Sequence, residues 1–259
     1  MLLLEQIKEY YEENIFRNNK KFVLLEYIQY ELLDSLFKFK GSEKLSFMGG
    51  TAIRIVYQSS RFSEDLDFDN FGLSFEDFEG LLDKTISDMK NKGFEVEFRM
   101  VEKGAYHCYI KFPNILQQNN LTDKDNEKIL VRIDTVAKEK RFSPRVVKLN
   151  KFDVYRDILV DPADIILSQK ILTALGRKRA KGRDFYDISY LLGITSPNFD
   201  FLKDAADIQD REQLKEKLRV KCRELNFREL TNSTQAFLLY PDKDRERILS
   251  FPKYIEQKL

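Results

Sequence analysis

The chain has 259 residues, enough for one large hydrophobic core or two modest ones. Its 44 Lys and Arg nearly balance 43 Asp and Glu, a formal net charge of +1 at pH 7. That balance excludes a uniformly basic nucleic-acid binder and leaves room for a local basic patch. Hydrophobic residues make up 42% and charged residues 34%, ordinary proportions for a globular protein. No apolar run is long enough to span a bilayer, and Met1 to Leu4 is followed at once by Glu5, Lys8 and Glu9, unlike a signal peptide. Cys108 and Cys222 lack any metal-binding spacing and are expected to be buried or idle thiols. The expectation is a soluble, cytoplasmic chain with no membrane partner.

From about Leu3 to Phe39 the rhythm is helical, with Phe22, Leu25, Ile28, Leu32 and Leu36 at three- and four-residue steps. Tyr10, Tyr11, Tyr27 and Tyr30 on this stretch suit either packing or a partner interface. Leu45 to Met48 reads as a core strand that turns sharply at Gly49 and Gly50, where a missing Cβ permits close backbone approach. Thr51 to Gln58 reads as a short helix whose free amides suit a phosphate. The chain then returns as a strand carrying Asp65-Leu66-Asp67-Phe68. Alternation places both aspartates on one face, with Leu66 and Phe68 turned to the core. Two carboxylates side by side call for a cation, and magnesium, or manganese, suits oxygen donors that share their ion with phosphate. A phosphate cradle joined to a metal-binding pair implies a nucleotide site. Arg54 and Arg61 are the nearest charges, each able to counter phosphate or to pair with Glu64 or Asp69. Ser63 could bind a phosphate or cap a local turn.

Ser74 opens a helix that ends at Gly93, its apolar face formed by Phe75, Phe78, Leu81, Leu82, Ile86 and Met89. Residues 94–101 and 106–112 alternate as a hairpin. Residues 114–125 read as a loop, and Ile129 to Thr135 as a further strand. Lys138, Lys140, Arg141, Arg145, Lys148 and Lys151 make a basic run interleaved with apolar residues, readable as solvated surface or as a contact for an RNA backbone. Asp161-Pro162 is expected to start a helix, with Asp161 as its cap and Pro162 at the first position. Lys170 lies in the middle of that helix, followed by Arg183-Asp184-Phe185-Tyr186-Asp187. Asp184 and Asp187, three apart on one helical face, can share a partner. Asp184 suits the cap of its helix equally well. Beyond Gly193 the chain reads as helices over residues 199–206, 210–227, 228–239 and 243–259.

A glycine turn followed about ten residues on by Asp-x-Asp resembles the signature of the nucleotidyltransferase superfamily. The fuller pattern here is Gly-Gly-Thr-Ala with Tyr57, then Arg-x-Ser-x-Asp-Leu-Asp-Phe, then the helix lysine and Arg-Asp-x-x-Asp. It resembles the AbiEii/AbiGii-type toxin family over roughly residues 45–192. The resemblance implies an α+β fold: a nucleotidyltransferase-like mixed β-sheet with flanking helices and an α-helical C-terminal lobe, divided at 1–160 and 161–259. It implies a third carboxylate, Asp134, brought up to Asp65 and Asp67 as metal ligand or proton acceptor. It further implies that Lys170 contacts the nucleotide phosphates with Gly49, Gly50, Thr51, Arg54 and Ser63, and that Asp187 assists catalysis.

The activity so implied is transfer of NMP from an NTP to an RNA acceptor, the tRNA 3′ end in particular, with two-metal chemistry and growth arrest as the outcome. The partner so implied is a cognate antitoxin, commonly an AbiEi-type regulator. A protein hydroxyl as acceptor, or an inactive nucleotide- or partner-binding module, remains the alternative. The single histidine, His107, reads as an ordinary strand residue and argues against a histidine-dependent ribonuclease.

Overall fold

The computed structural model describes residues 1–124 and 126–259, so Asp125, at the end of the expected loop, lies outside the described residues. The described chain forms two compact units. The first comprises residues 1–52 and 63–160, the second residues 53–62 and 161–259. Residues 53–62, which sequence reading leaves beside the glycine turn, therefore group with the C-terminal half.

The first unit opens with α1 (Leu4–Lys8), α2 (Glu13–Asn18) and α3 (Lys20–Leu36), followed by β1 (Leu45–Met48). Next come α4 (Gly49–Ile55), inside which the division falls, and then β2 (Leu66–Asn70), α5 (Phe75–Asn91), β3 (Glu97–Glu102) and β4 (Tyr106–Phe112). The short α6 (Ile115–Gln118) then precedes β5 (Ile129–Ala137), β6 (Arg145–Lys151) and β7 (Val154–Val160). Among the described residues these seven strands form one sheet, in the order β3-β4-β5-β2-β1-β7-β6. It is mixed: β1 runs parallel to β7 and β2 parallel to β5, while the other neighbours are antiparallel.

The helix over α5 forms as its pattern predicts, with the Ser74 side chain accepting a hydrogen bond from the Asp77 amide. Its apolar stripe packs on α3, which also packs on β5 and β7. Phe47, Phe68, Ile133, Val131 and Ile158 are buried in the sheet core. The hairpin of β3 and β4 pairs Glu97 with Lys111 through to Glu102 with Tyr106.

Strand β7 has no counterpart among the sequence expectations. It is reached from β6 through Phe152 and Asp153, both at positive φ (58° and 65°), a two-residue turn usually built from Asn-Gly. Packing offsets the strain at Phe152. Its ring is buried with centroids 4.8, 6.0, 5.5 and 5.2 Å from Tyr10, Tyr11, Tyr27 and Tyr30. The four tyrosines thus contribute to an aromatic cluster, with Tyr10 at its exposed edge. Residues 115–118, expected to be loop, form one helical turn after Asn114 at φ 62°.

The second unit holds α7 (Ala163–Gly176), α8 (Gly182–Leu191), α9 (Phe199–Ala206), α10 (Arg211–Arg223), α11 (Phe227–Thr234), α12 (Pro241–Asp244), α13 (Glu246–Leu249) and α14 (Phe251–Lys258). Pro162 occupies the N-cap of α7 rather than its first turn, and Asp161, fully buried, accepts instead from the Gln169 side chain at 3.1 Å. The expected break between helices at residues 227 and 228 falls slightly earlier, where Asn226 caps α11 by accepting from the Arg228 and Glu229 amides. Around α8, Phe185 meets Phe227 and Phe251 at 5.2 and 5.1 Å. Segment 53–62 joins this unit through main-chain bonds from Phe62 to Phe237 and from Leu239 to Ser60. The hydroxyls of Tyr57 and Tyr190 extend the link, donating to the carbonyls of Asp161 and Tyr57 respectively.

Candidate active site

The glycine turn and the aspartate strand meet because β1 and β2 pair antiparallel with Met48 opposite Asp67. Gly49, the next residue, turns at φ +77°, and a Cβ built there would stand 2.3 Å from Asp67 Oδ2. Only glycine satisfies both the left-handed backbone and that approach. Thr51 is buried, and its hydroxyl donates to the main-chain oxygen of Asp65, locking the turn to the start of β2. At seven residues, α4 contributes little dipole.

The carboxylates assemble by register. β2 lies parallel to β5 with Asp67 beside Asp134, so their side chains share one face. Asp65, two residues earlier, is on that face too, while Leu66, Phe68 and Ile133 are buried on the other. Asp134 pairs across the antiparallel β4 with His107, whose Nδ1 lies 2.7 Å from Asp134 Oδ1. Arg132, two residues before Asp134, completes the face. Its Nη2 lies 2.9 Å from Asp65 Oδ2 and its Nε 2.7 Å from Asp134 Oδ2. Partial burial works against the charge on Arg132, yet Asp65, Asp134 and Asp67 hold its guanidinium above its ordinary pKa.

His107 and Arg132 are members of this constellation that sequence reading missed. Counting back by two from Asp134 would have found Arg132. His107 needed the hairpin register, which the sequence does not state.

The three carboxylates offer hard oxygen donors of the kind magnesium prefers, and Asp67 and Asp134 stand on adjacent strands facing one way. Among the described residues, no group of three or more His, Cys, Asp or Glu is drawn together tightly enough to hold an ion as arranged. The Arg132 guanidinium supplies the counter-charge. In chemical type the donors are those that a divalent cation takes.

Of the remaining candidates, Arg54, Arg61, Lys170, Asp184 and Asp187 lie in the second unit and Ser63 in the first. Asp187 is fully buried and receives a two-pronged contact from Arg61, Nε and Nη2 each at 2.9 Å, and a third from Lys170 Nζ at 2.9 Å. Burial alone would raise its pKa, but Arg61 and Lys170 hold it below the usual carboxylate range. Asp184 does not cap α8: it is buried, 3.6 Å from Lys170 Nζ and 3.3 Å from Arg177 Nε. Arg61 therefore pairs with Asp187, not with Glu64 or Asp69. Asp69 is paired with Lys138 at 2.6 Å. Arg54 donates to the Ser59 carbonyl at 2.7 Å and lies over the Phe62 ring. Ser63 is half-buried, with its carbonyl accepting from Gln29.

Other cations of the basic run are also matched: Lys148 with Asp157 at 2.6 Å and Lys151 with Glu26 at 2.9 Å, while Lys140 and Arg145 are exposed. Both cysteines are free and buried, and burial pushes each thiol up to about 12. Among the described residues, no helix is long and apolar enough to cross a membrane.

A mixed sheet that sets a glycine turn against an Asp-x-Asp strand, with a third carboxylate on the neighbouring strand, is the architecture of a nucleotidyltransferase. The family model described as nucleotidyl transferase AbiEii toxin, type IV toxin–antitoxin system, matches residues 31–253, and the chain belongs to that family. It is accordingly a nucleotidyltransferase toxin, with a nucleoside triphosphate as substrate and an antitoxin as partner.

Solved structures share the fold. MenT4, a nucleotidyltransferase toxin from Mycobacterium tuberculosis H37Rv, is 14% identical with a TM-score of 0.59, over 99% of this chain and 90% of that one. A putative nucleotidyltransferase from H. pylori is 16% identical with a TM-score of 0.53, over 96% of both chains. JHP933 from Helicobacter pylori is 15% identical with a TM-score of 0.52, over 95% of this chain and 92% of that one. No curated protein matches the sequence.

Proposed function

We infer that the chain transfers a nucleoside monophosphate from an NTP to an RNA acceptor, the 3′ end of tRNA, and so arrests growth. The observation that carries this reading is the closure of the Gly49 turn on Asp67 with Asp134 alongside. Gly49, Gly50 and Thr51, the first two without side chains, form the turn to which the triphosphate is assigned. Asp65, Asp67 and Asp134 would hold magnesium, which when bound neutralises the triphosphate and polarises the α-phosphate. Asp134, 2.7 Å from His107, would hold the metal or accept the proton of the attacking hydroxyl. No activated serine or cysteine is needed, because positioning and charge neutralisation carry phosphoryl transfer.

The family pattern assigns Lys170 to the phosphates. Asp187, fully buried against Lys170 and Arg61, acts through Lys170 as a positioning residue. The cognate antitoxin is an AbiEi-type regulator, and the compartment is the cytoplasm. The RNA acceptor rests on the family, with exposed Lys140 and Arg145 as available backbone contacts.

The test incubates the protein with magnesium, total tRNA and each α-labelled NTP in turn, beside Asp67→Asn. Label on tRNA in the wild type alone supports the reading and names the nucleotide. Label on protein moves the acceptor to a side chain, and no transfer from any NTP defeats it.

A further inference from the structure

Arg132 spans two of the three carboxylates assigned above to the divalent ion, at 2.9 Å from Asp65 Oδ2 and 2.7 Å from Asp134 Oδ2. A guanidinium and a divalent cation compete for these carboxylate oxygens, because each draws on the same negative charge and the two positive charges repel. The Arg132 side chain is 40% exposed, so its ion pairs are of the modest, exchangeable kind. The frame beneath is fixed, with Ile133 and Cys108 fully buried. Exchange therefore needs only a side-chain swing. Arginine is the residue suited to it, since one planar fork fits carboxylate and phosphate oxygens alike.

We propose that Arg132 is the resident counter-cation of the site. It holds Asp65 and Asp134 when no metal is bound, yields them to the divalent ion, and turns its freed guanidinium to the phosphate oxygens of the nucleotide. The proposal rests on the nucleotidyl-transfer reading of the same face. It makes metal binding weak in the free protein and couples it to the nucleotide, because each favours the swung guanidinium.

The test is Mn2+ binding, read from the electron paramagnetic resonance of the free ion, on wild type, Arg132→Met, Arg132→Lys and Asp67→Asn. Thermal melts check that each variant folds. Arg132→Met should bind Mn2+ about tenfold more tightly than wild type. Arg132→Lys should fall between, since an ammonium engages one carboxylate at a time. The affinity of inorganic tripolyphosphate, measured calorimetrically, should drop in Arg132→Met. Should Arg132→Met not fold, the few-fold tightening in Arg132→Lys carries the same prediction. Binding no tighter in either Arg132 variant, yet abolished by Asp67→Asn, overturns the counter-cation and leaves the transfer reading standing. Mn2+ binding that ignores Asp67→Asn removes the metal assignment and this proposal together, whatever the transfer assay reads.

Discussion

Gly49 carries two constraints in one residue, a φ of +77° and a strand neighbour whose carboxylate oxygen would lie 2.3 Å from any added Cβ. Gly49→Ala therefore meets a left-handed penalty of about 1–2 kcal/mol and must also displace Asp67. The expected result is a folded protein with a slightly lowered melting temperature and transfer reduced about a hundredfold or more, measured with labelled NTP. Wild-type transfer in this variant would show that the turn need not approach Asp67. The importance of this glycine is legible in the sequence, because a Gly-Gly turn before Asp-x-Asp has few other uses. Which carboxylate it abuts is not, since that depends on Met48 pairing with Asp67 rather than with a neighbour.

At the scale of elements, Asp187 ties α7, α8 and the segment 53–62 together through Lys170 and Arg61. Arg61 is itself buried and also donates to the Phe62 carbonyl at 2.7 Å. Asp187→Asn leaves two cations without their shared counter-charge in a desolvated place, which costs about 3–5 kcal/mol. Chemical denaturation should show that loss with an unchanged slope, and a loss under about 1 kcal/mol would mean that water or another carboxylate reaches the cluster. Sequence spacing put Asp184 and Asp187 on one helical face, and the family resemblance added Lys170. Spacing did not pair Asp187 with Arg61, 126 residues away, because no local period points to so distant a partner. Strand β7 was missed for a related reason. Its turn is Phe152-Asp153 rather than Asn-Gly, and an aromatic cluster contributed by α3 and the segment after α1 stabilises what the local sequence does not advertise.

For the whole molecule, several carboxylates are held ionised by basic partners. Asp187 faces Arg61 and Lys170, Asp34 faces Lys92 and Arg156, and Asp88 faces Lys38 and Lys92. In each case burial works against the charge, the cations prevail, and the pKa lies below its ordinary value. A carboxylate depressed in the folded state adds stability above its unfolded pKa and loses it as pH falls through the folded one. The melting temperature should therefore hold steady from about pH 5 to 8 and fall steeply below about pH 4. Lys92, raised despite burial by Asp34 and Glu31, works in the opposite direction. Its contribution persists to about pH 10.5 and fades above. A melting temperature that rose on acidification would contradict this arrangement.

By itself the sequence determined the glycine turn and the one-faced pair Asp65 and Asp67, which are written in local period and spacing, and its motifs carried the resemblance that implied the α+β class and the family. Tertiary structure decided the rest. Parallel pairing of β2 with β5 put Asp134 beside Asp67, and antiparallel pairing of β4 with β5 brought His107 to it. Arg132 was left between the carboxylates, and residues 53–62 were drawn into the helical unit. Strand register and long-range ion pairs are set by the packing of distant segments, and a single sequence carries no period that records them.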